Sequence, residues 1–280
     1  MGQGLSRSFV DSGSKGTFAP GPGHRYRGPM LSYPEYLAHL DADAHLLGAA
    51  AALGLDADVP CCPGWKVADL IDHVTRVYVG KADIVAQGLA DRWPSPHPQT
   101  ESTDPVGRYR EGASRLSEVL AAADPAAPAK TFSREQTVGF WIRRMAHETL
   151  VHRIDAEQAH GYESQVDPEL AKDGIAEIIE VFITRFPDDW GEFVPGQTVI
   201  RVGTDDQLWT LRLGRFVGTR RGDVVDLQKA VVEHDADPVV TVGGDPGRLL
   251  LWMWGRAPLE DVTVEGDVAA ARLLREVCSI

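Results

Sequence analysis

Cysteine is scarce in this chain: only Cys61, Cys62 and Cys278 occur in 280 residues. So few thiols exclude a small scaffold stapled by disulfides. The neighbours Cys61 and Cys62 do not pair with each other, because so tight a ring departs from disulfide geometry. A bond from one of them to Cys278 stays open, and the simplest account is a reduced, cytoplasmic protein with free thiols. Long apolar runs are also missing. None approaches the roughly 18 residues that a bilayer span needs, so no membrane segment is expected. The opening MGQGLSRSFVDSG has no apolar stretch of the kind a secretory signal requires, although Gly2 and Ser6 fit the loose myristoylation pattern. Positive charge is short too. Lys and Arg number 28 against 41 Asp and Glu, for a formal net charge of -13. No basic stripe is present, which argues against a nucleic-acid partner.

Apolar residues make up 43% of the chain, enough for a proper core in one large domain or two ordinary ones. Residues 1–31 are rich in Gly, Ser and Pro, lack periodicity, and read as a disordered leader. From Tyr33 to about Leu53 the pattern is helical, with Tyr36, Leu37, Leu40, Leu46 and Leu47 as apolar members. DVPCCPGW interrupts it. A second helix begins near Val67, with Leu70, Ile71, Val74, Val77 and Tyr78 at helical spacing. A third runs from about Val106 to Ala123, and a fourth from Val138 to about His160. Four helices joined by loops predict a bundle, whose core is a usual place for a metal site. A fifth helix is expected from Pro168 to Arg185. The grammar then changes. TVIRV, LWTLRL, VVDLQ and PVVTVGG are short β-branched runs that read as strands. DPGRLLLWMWGR reads as a helix capped by Asp245, VTVEG as a last strand, and DVAAARLLREVC as a last helix capped by Asp267. The fold class is therefore α+β: a helix bundle over 32–165, then a small α+β domain over 166–280.

Two distant segments carry the chemistry. WKVADLIDHV puts His73 on the second helix. RRMAHETLVHRIDAE puts Glu148 and His152 four residues apart, hence on one face of the fourth. Carboxylate oxygen and neutral imidazole are both good ligands for zinc and similar ions, and two imidazoles with one glutamate leave a coordination position open, as catalytic metals need. His147 and His152 are five apart and face differently, so the metalloprotease motif with histidines at i and i+4 is absent. The competing reading is an ordinary surface pair of Glu148 and His152. Against it stands His73 within the mostly apolar LIDHV, where an unpaired imidazole is costly to bury. Arg144, four residues before Glu148, is placed to orient that carboxylate, and Asp155, three after His152, to accept its spare ring N–H. Ordinary helix-surface pairing remains the alternative for both.

CPGWKVADLIDHV followed by RRMAHETLVHRIDAE resembles the mycothiol-dependent maleylpyruvate isomerase family, part of the DinB-like group of metal-binding four-helix bundles. PVVTVGGDPGRLLLWMWGR and VTVEGD resemble that family's C-terminal domain, which is similar to sterol carrier protein folds. The resemblance runs from about Ser32 to the C-terminus. It implies divalent-metal ligands at His73, Glu148 and His152, zinc or a similar ion as cofactor, and the low-molecular-weight thiol mycothiol as co-substrate. It also implies an arginine of the C-terminal domain near the active site, best matched by Arg256. The alternative for Arg256 is a helix-end residue favoured by the helix dipole. The long leader and the extra Cys61 depart from the family pattern. Cys62 is either a nucleophile or a small residue at a helix entry.

The implied chemistry is activation of a thiol for attack on a small electrophilic metabolite. Addition to a conjugated double bond followed by elimination is an isomerisation; if the sulfur stays attached, the reaction is an S-transfer. Two other readings are carried. Leu249 to Trp254 form an apolar run that suits either a core or a non-catalytic lipid-binding module. An open metal position also suits thiol-independent hydrolysis. The oligomeric state is not legible.

Overall fold

The computed structural model describes residues 31–95, 103–186 and 190–279. The leader, with Gly2 and Ser6, lies outside them apart from Leu31. The described residues divide into two compact units. The first holds 33–59 and 64–160; the second holds 31–32, 60–63 and 161–279.

The first unit is a bundle of α1 (Tyr33–Ala51), α2 (Val67–Ala86), α3 (Pro105–Ala122) and α4 (Val138–Ala159). Its helices start where side chains can satisfy the otherwise unpaired N–H groups of a first turn. Asp104 accepts from Gly107 N at 2.8 Å, with Pro105 at the first helical position. Thr137 accepts from Phe140 N at 3.3 Å. Asp69 reaches back to Lys66 N at 2.9 Å. α1 packs on α4, and α2 on α3. The core contains Tyr36, Leu40, Leu47, Leu70, Ile71, Val74, Leu116, Leu120, Trp141 and Ile154. α4 is buried almost all round, and it takes polar groups in with it: Arg143, Arg144, His147, Thr149, Arg153 and Asp155 are buried as fully as its apolar residues. Charged side chains enter an interior only where partners await them. Arg153 meets Asp43 of α1 at 3.3 Å. Gly139 of α4 lies against the Tyr33 ring so closely that no Cβ fits there.

The second unit is a five-stranded sheet with helices. Its elements are α5 (Pro168–Glu177), β1 (Gly191–Thr204), β2 (Gln207–Arg220), β3 (Asp223–Val232), β4 (Val240–Gly243), α6 (Pro246–Met253), β5 (Thr263–Gly266) and α7 (Val268–Val277). The strand order is β3-β2-β1-β4-β5, antiparallel except for the β1–β4 pair. The register of β1 slips between Pro195 and Val199, where proline has no N–H for the ladder. β3 forms one edge. Asp167, Asp245 and Asp267 cap α5, α6 and α7. Leu249 to Met253 are all buried, so most of the apolar run lies in the core of this unit.

Two local expectations are corrected. The fifth helix does not continue as a single α-helix to Arg185: after Glu177 it becomes a π-helix over Ile178–Ile183. The N–H of Thr184 closes it on Ile179 O at 3.0 Å, five residues back. β1, β2 and β3 also run well beyond the β-branched stretches, through glycines and charges. Cross-strand backbone pairing carries them there, rather than the propensity of each residue. Among the described residues, no helix is long and apolar enough to cross a membrane.

Candidate metal centre

α2 and α4 bring the site together. A buried pin sets their alignment: the Tyr78 hydroxyl meets Thr149 Oγ1. Because Thr149 itself donates to Met145 O at 2.7 Å, Tyr78 is the donor in that pair. Tyr78 lies five residues after His73, and Thr149 directly follows Glu148, so the pin fixes which turn of α4 faces His73.

There His73, Glu148 and His152 each offer one ligand atom, all within 4.8 Å of one another. Glu148 Oε1 lies 3.3 Å from His152 Nε2 and 3.6 Å from His73 Nε2. Ligand atoms on a tetrahedral ion with bonds near 2.0–2.1 Å stand about 3.3 Å apart. The two imidazoles meet edge to face at 5.2 Å between centroids. The Trp65 ring, from the loop before α2, lies 5.3 Å from that of His73 and walls one side.

The atoms of Glu148 and His152 that do not face this point are engaged elsewhere. Arg144 Nη2 donates to Glu148 Oε2 at 2.8 Å. His152 Nδ1 pairs with Asp155 Oδ2 at 3.0 Å, and Asp155 is fully buried. Donation of the Nδ1 proton to Asp155 leaves the Nε2 lone pair for a cation, the usual support of a metal-bound histidine. Burial works against charge on Glu148, but hydrogen bonds from His152 and His73, with the charges of His152 and Arg144, hold its carboxyl well below the usual range. Burial likewise pushes His152 down, yet its bonds to Asp155 and Glu148 outweigh this and bring it up to about 9. Two imidazoles and one carboxylate held by their far sides suit a borderline divalent ion such as zinc.

The structure thus gathers His73, Glu148, His152, Arg144 and Asp155. Arg256 lies in the second unit. Its backbone N–H bonds Leu251 O at 2.7 Å while Gly255 N bonds Trp252 O at 2.9 Å. These two bonds form a Schellman closure of α6, made possible by the φ of 77° at Gly255. The Arg256 guanidinium donates to Trp254 O at 2.7 Å. None of the three cysteines is in a disulfide; Cys61 and Cys62 are part-buried and Cys278 is buried. Sequence reasoning missed the roles of Tyr78, Thr149 and Trp65, although Tyr78 was already on the apolar face of the second helix.

A helix bundle that gathers a carboxylate and two imidazoles at a part-buried point between its helices, followed by a sheet-and-helix domain, defines a two-part class of proteins, and this chain is of that class. The family described as mycothiol maleylpyruvate isomerase N-terminal domain matches residues 37–157, and the one described as its C-terminal domain matches 169–273. The chain therefore belongs to the mycothiol-dependent maleylpyruvate isomerase family. Among solved structures, the crystal structure of the mycothiol-dependent maleylpyruvate isomerase is similar with a TM-score of 0.57 and 12% identity, over 85% of this chain and 95% of that one. A mutant of that enzyme gives 0.59 at the same identity and coverage. At such identity the likeness is one of fold. No curated protein matches the chain in sequence.

Proposed function

We propose that this protein is a metal- and mycothiol-dependent enzyme that makes the thiol reactive toward a small electrophilic metabolite, as an S-transferase or a cis–trans isomerase. The observation that carries the reading is the convergence of His73, Glu148 and His152 from two helices. A divalent ion held there, most simply zinc, supplies a Lewis acid that keeps a bound thiol ionised at neutral pH. The surrounding residues prepare the place. Arg144 fixes the Glu148 carboxylate, Asp155 fixes the tautomer of His152, and Trp65 screens the His73 ring from water on one side. Family membership supports mycothiol as the thiol, and maleylpyruvate, named for the solved relatives, is the first electrophile to try. Arg256 is proposed as a further residue that acts on the electrophile.

The test is elemental analysis of the purified protein together with mycothiol-dependent turnover. One equivalent of divalent metal is expected, and H152A loses both metal and activity. Full activity after exhaustive chelation, or turnover indifferent to mycothiol, overturns the proposal.

A further inference from the structure

On the side of α4 away from the triad, three charged groups are buried where their charges do not balance. Arg153 and Glu157 follow Glu148 by five and nine residues, about 140° and 180° round the helix. Arg153 Nη1 lies 3.3 Å from Oδ1 of Asp43 on α1, and Arg153 Nε lies 3.9 Å from Oε1 of Glu157. Asp43 and Arg153 are 7% and 6% exposed, and the Glu157 side chain 16%. The second oxygen of each carboxylate, Asp43 Oδ2 and Glu157 Oε2, is buried and has no hydrogen-bond partner among the described residues. One guanidinium thus faces two carboxylates, and it grips neither by both oxygens. The other titratable groups that face Asp43 are His39, one turn earlier on α1, His147 of α4, and Tyr109 of α3, whose hydroxyl donates to Ala44 O at 2.9 Å.

A buried carboxylate oxygen without a donor costs free energy, and so does a negative charge left over in an interior. One proton relieves both. It turns an unpaired acceptor into a hydroxyl and leaves one negative charge against one guanidinium. Asp43 is the acid placed to take it. Burial pushes its carboxyl up, Arg153, His39 and His147 pull it down less far, and the charge of Glu157 adds to the push. The competing account is an ordered water that donates to these oxygens. It satisfies the lone pairs but leaves the surplus charge in place.

We propose that Asp43, beside Glu157, takes up one proton on acidification and so forms a pH-operated latch between α1 and α4. With the proton on, the two acids balance Arg153 and the α1–α4 contact is strengthened. With it off, the surplus charge weakens that contact. The folded-state value of Asp43 lies above the ordinary one, so the stabilisation is complete below the ordinary carboxyl range and is lost as pH rises through the folded-state value. The latch therefore holds the bundle most firmly at the acid end, where imidazole ligands protonate and release a metal. It acts on the fold and does not depend on the reading of the triad.

The experiment is a pair of titrations on the full-length protein. The first follows the Asp43 carboxyl by carbon NMR, assigned through its own backbone resonances. Its midpoint is expected above the ordinary aspartate value of about 3.9, and Glu157→Gln should move it back toward that value. The second measures denaturant unfolding of wild type and Asp43→Asn over the same pH range. The two are compared at each pH, so other titrating groups, His152 among them, cancel. Asparagine keeps the shape of the protonated acid. Asp43→Asn should therefore gain on wild type as pH rises, by up to about tenfold in the folding constant per pH unit between the ordinary and the folded-state midpoints, and hold a constant lead above them. A midpoint at or below the ordinary value, a midpoint indifferent to Glu157→Gln, or a stability gap that is flat or reversed with pH overturns the latch. If Asp43→Asn does not fold, the NMR midpoints of wild type and Glu157→Gln decide alone.

Discussion

His152 faces two ways at once. Its Nδ1 is held by Asp155 and its Nε2 looks at Glu148, so whatever occupies Nε2 decides the charge of the whole cluster. In the metal-free protein that occupant is a proton up to about pH 9. The folded-state value is raised above the ordinary 6.5, so the stabilisation by this proton is complete below about pH 6.5 and is lost as pH rises through about 9. A metal needs the bare lone pair and has the opposite trend. Its apparent affinity should climb by about tenfold per pH unit toward pH 9 and then flatten, one proton leaving per ion bound. Competition with a chromogenic chelator between pH 6 and 9 measures that slope, and a flat profile excludes His152 as a ligand. Asp155→Asn should weaken the metal by about 10- to 100-fold, because the amide fails to hold the Nδ1–H tautomer as firmly. At this scale the pair Glu148 and His152 was legible from helical period alone, and His73 from the cost of an imidazole on an apolar face. The Tyr78–Thr149 pin was not: a contact between α2 and α4 leaves no trace in the spacing of either helix.

Elements matter here through alignment. The Tyr78–Thr149 pin crosses from α2 to α4 one step from the triad. Tyr78→Phe leaves Thr149 without its donor inside the bundle, at a cost of about 1 kcal/mol. The same change should also weaken metal binding, because His73 shares the helix. A thermal melt and a metal titration on one sample check both, and an unchanged metal affinity limits the pin to stability. Gly255→Ala should lower stability by about 1 kcal/mol or more, since alanine resists the positive φ that closes α6. Helix starts were the most legible elements, because Asp245 and Asp267 each announce a first turn, and Asp104 and Asp167 prove to cap theirs in the same way. The π segment was not, since IIEVFI is apolar at every position but Glu180 and its composition does not distinguish a π-helix from an α-helix. Strand lengths were underestimated for a related reason: β1 and β2 are held along their glycines and charges by partners distant in the chain.

For the whole molecule, a divalent ion held by the triad is expected to be coupled to the fold. A ligand at 100 times its dissociation constant stabilises the native state by about 2.7 kcal/mol. Chelation should therefore lower the melting temperature, and excess zinc should restore it; a melt indifferent to chelator removes the metal from the energetics. Burial pushes the Cys278 thiol up to about 12 despite nearby Arg275, so at pH 8 it should resist alkylation until the protein unfolds, whereas Cys61 and Cys62 should react. Mass spectrometry after a brief iodoacetamide pulse distinguishes the three.

The sheet carries a liability of its own. β3 pairs with β2 on one side only, and Val224 stands 81% exposed on it. What interrupts its apolar residues is charge, Asp223 at its start and Asp226 clamped by Arg215, whereas Lys229 is part-buried and donates to Phe182 O. A flat, greasy margin of this length is an invitation to stack copy on copy, and these few ionised side chains are gatekeepers against it. The two aspartates are thus most valuable along this one border, where their loss is expected to turn an enzyme preparation into a precipitate.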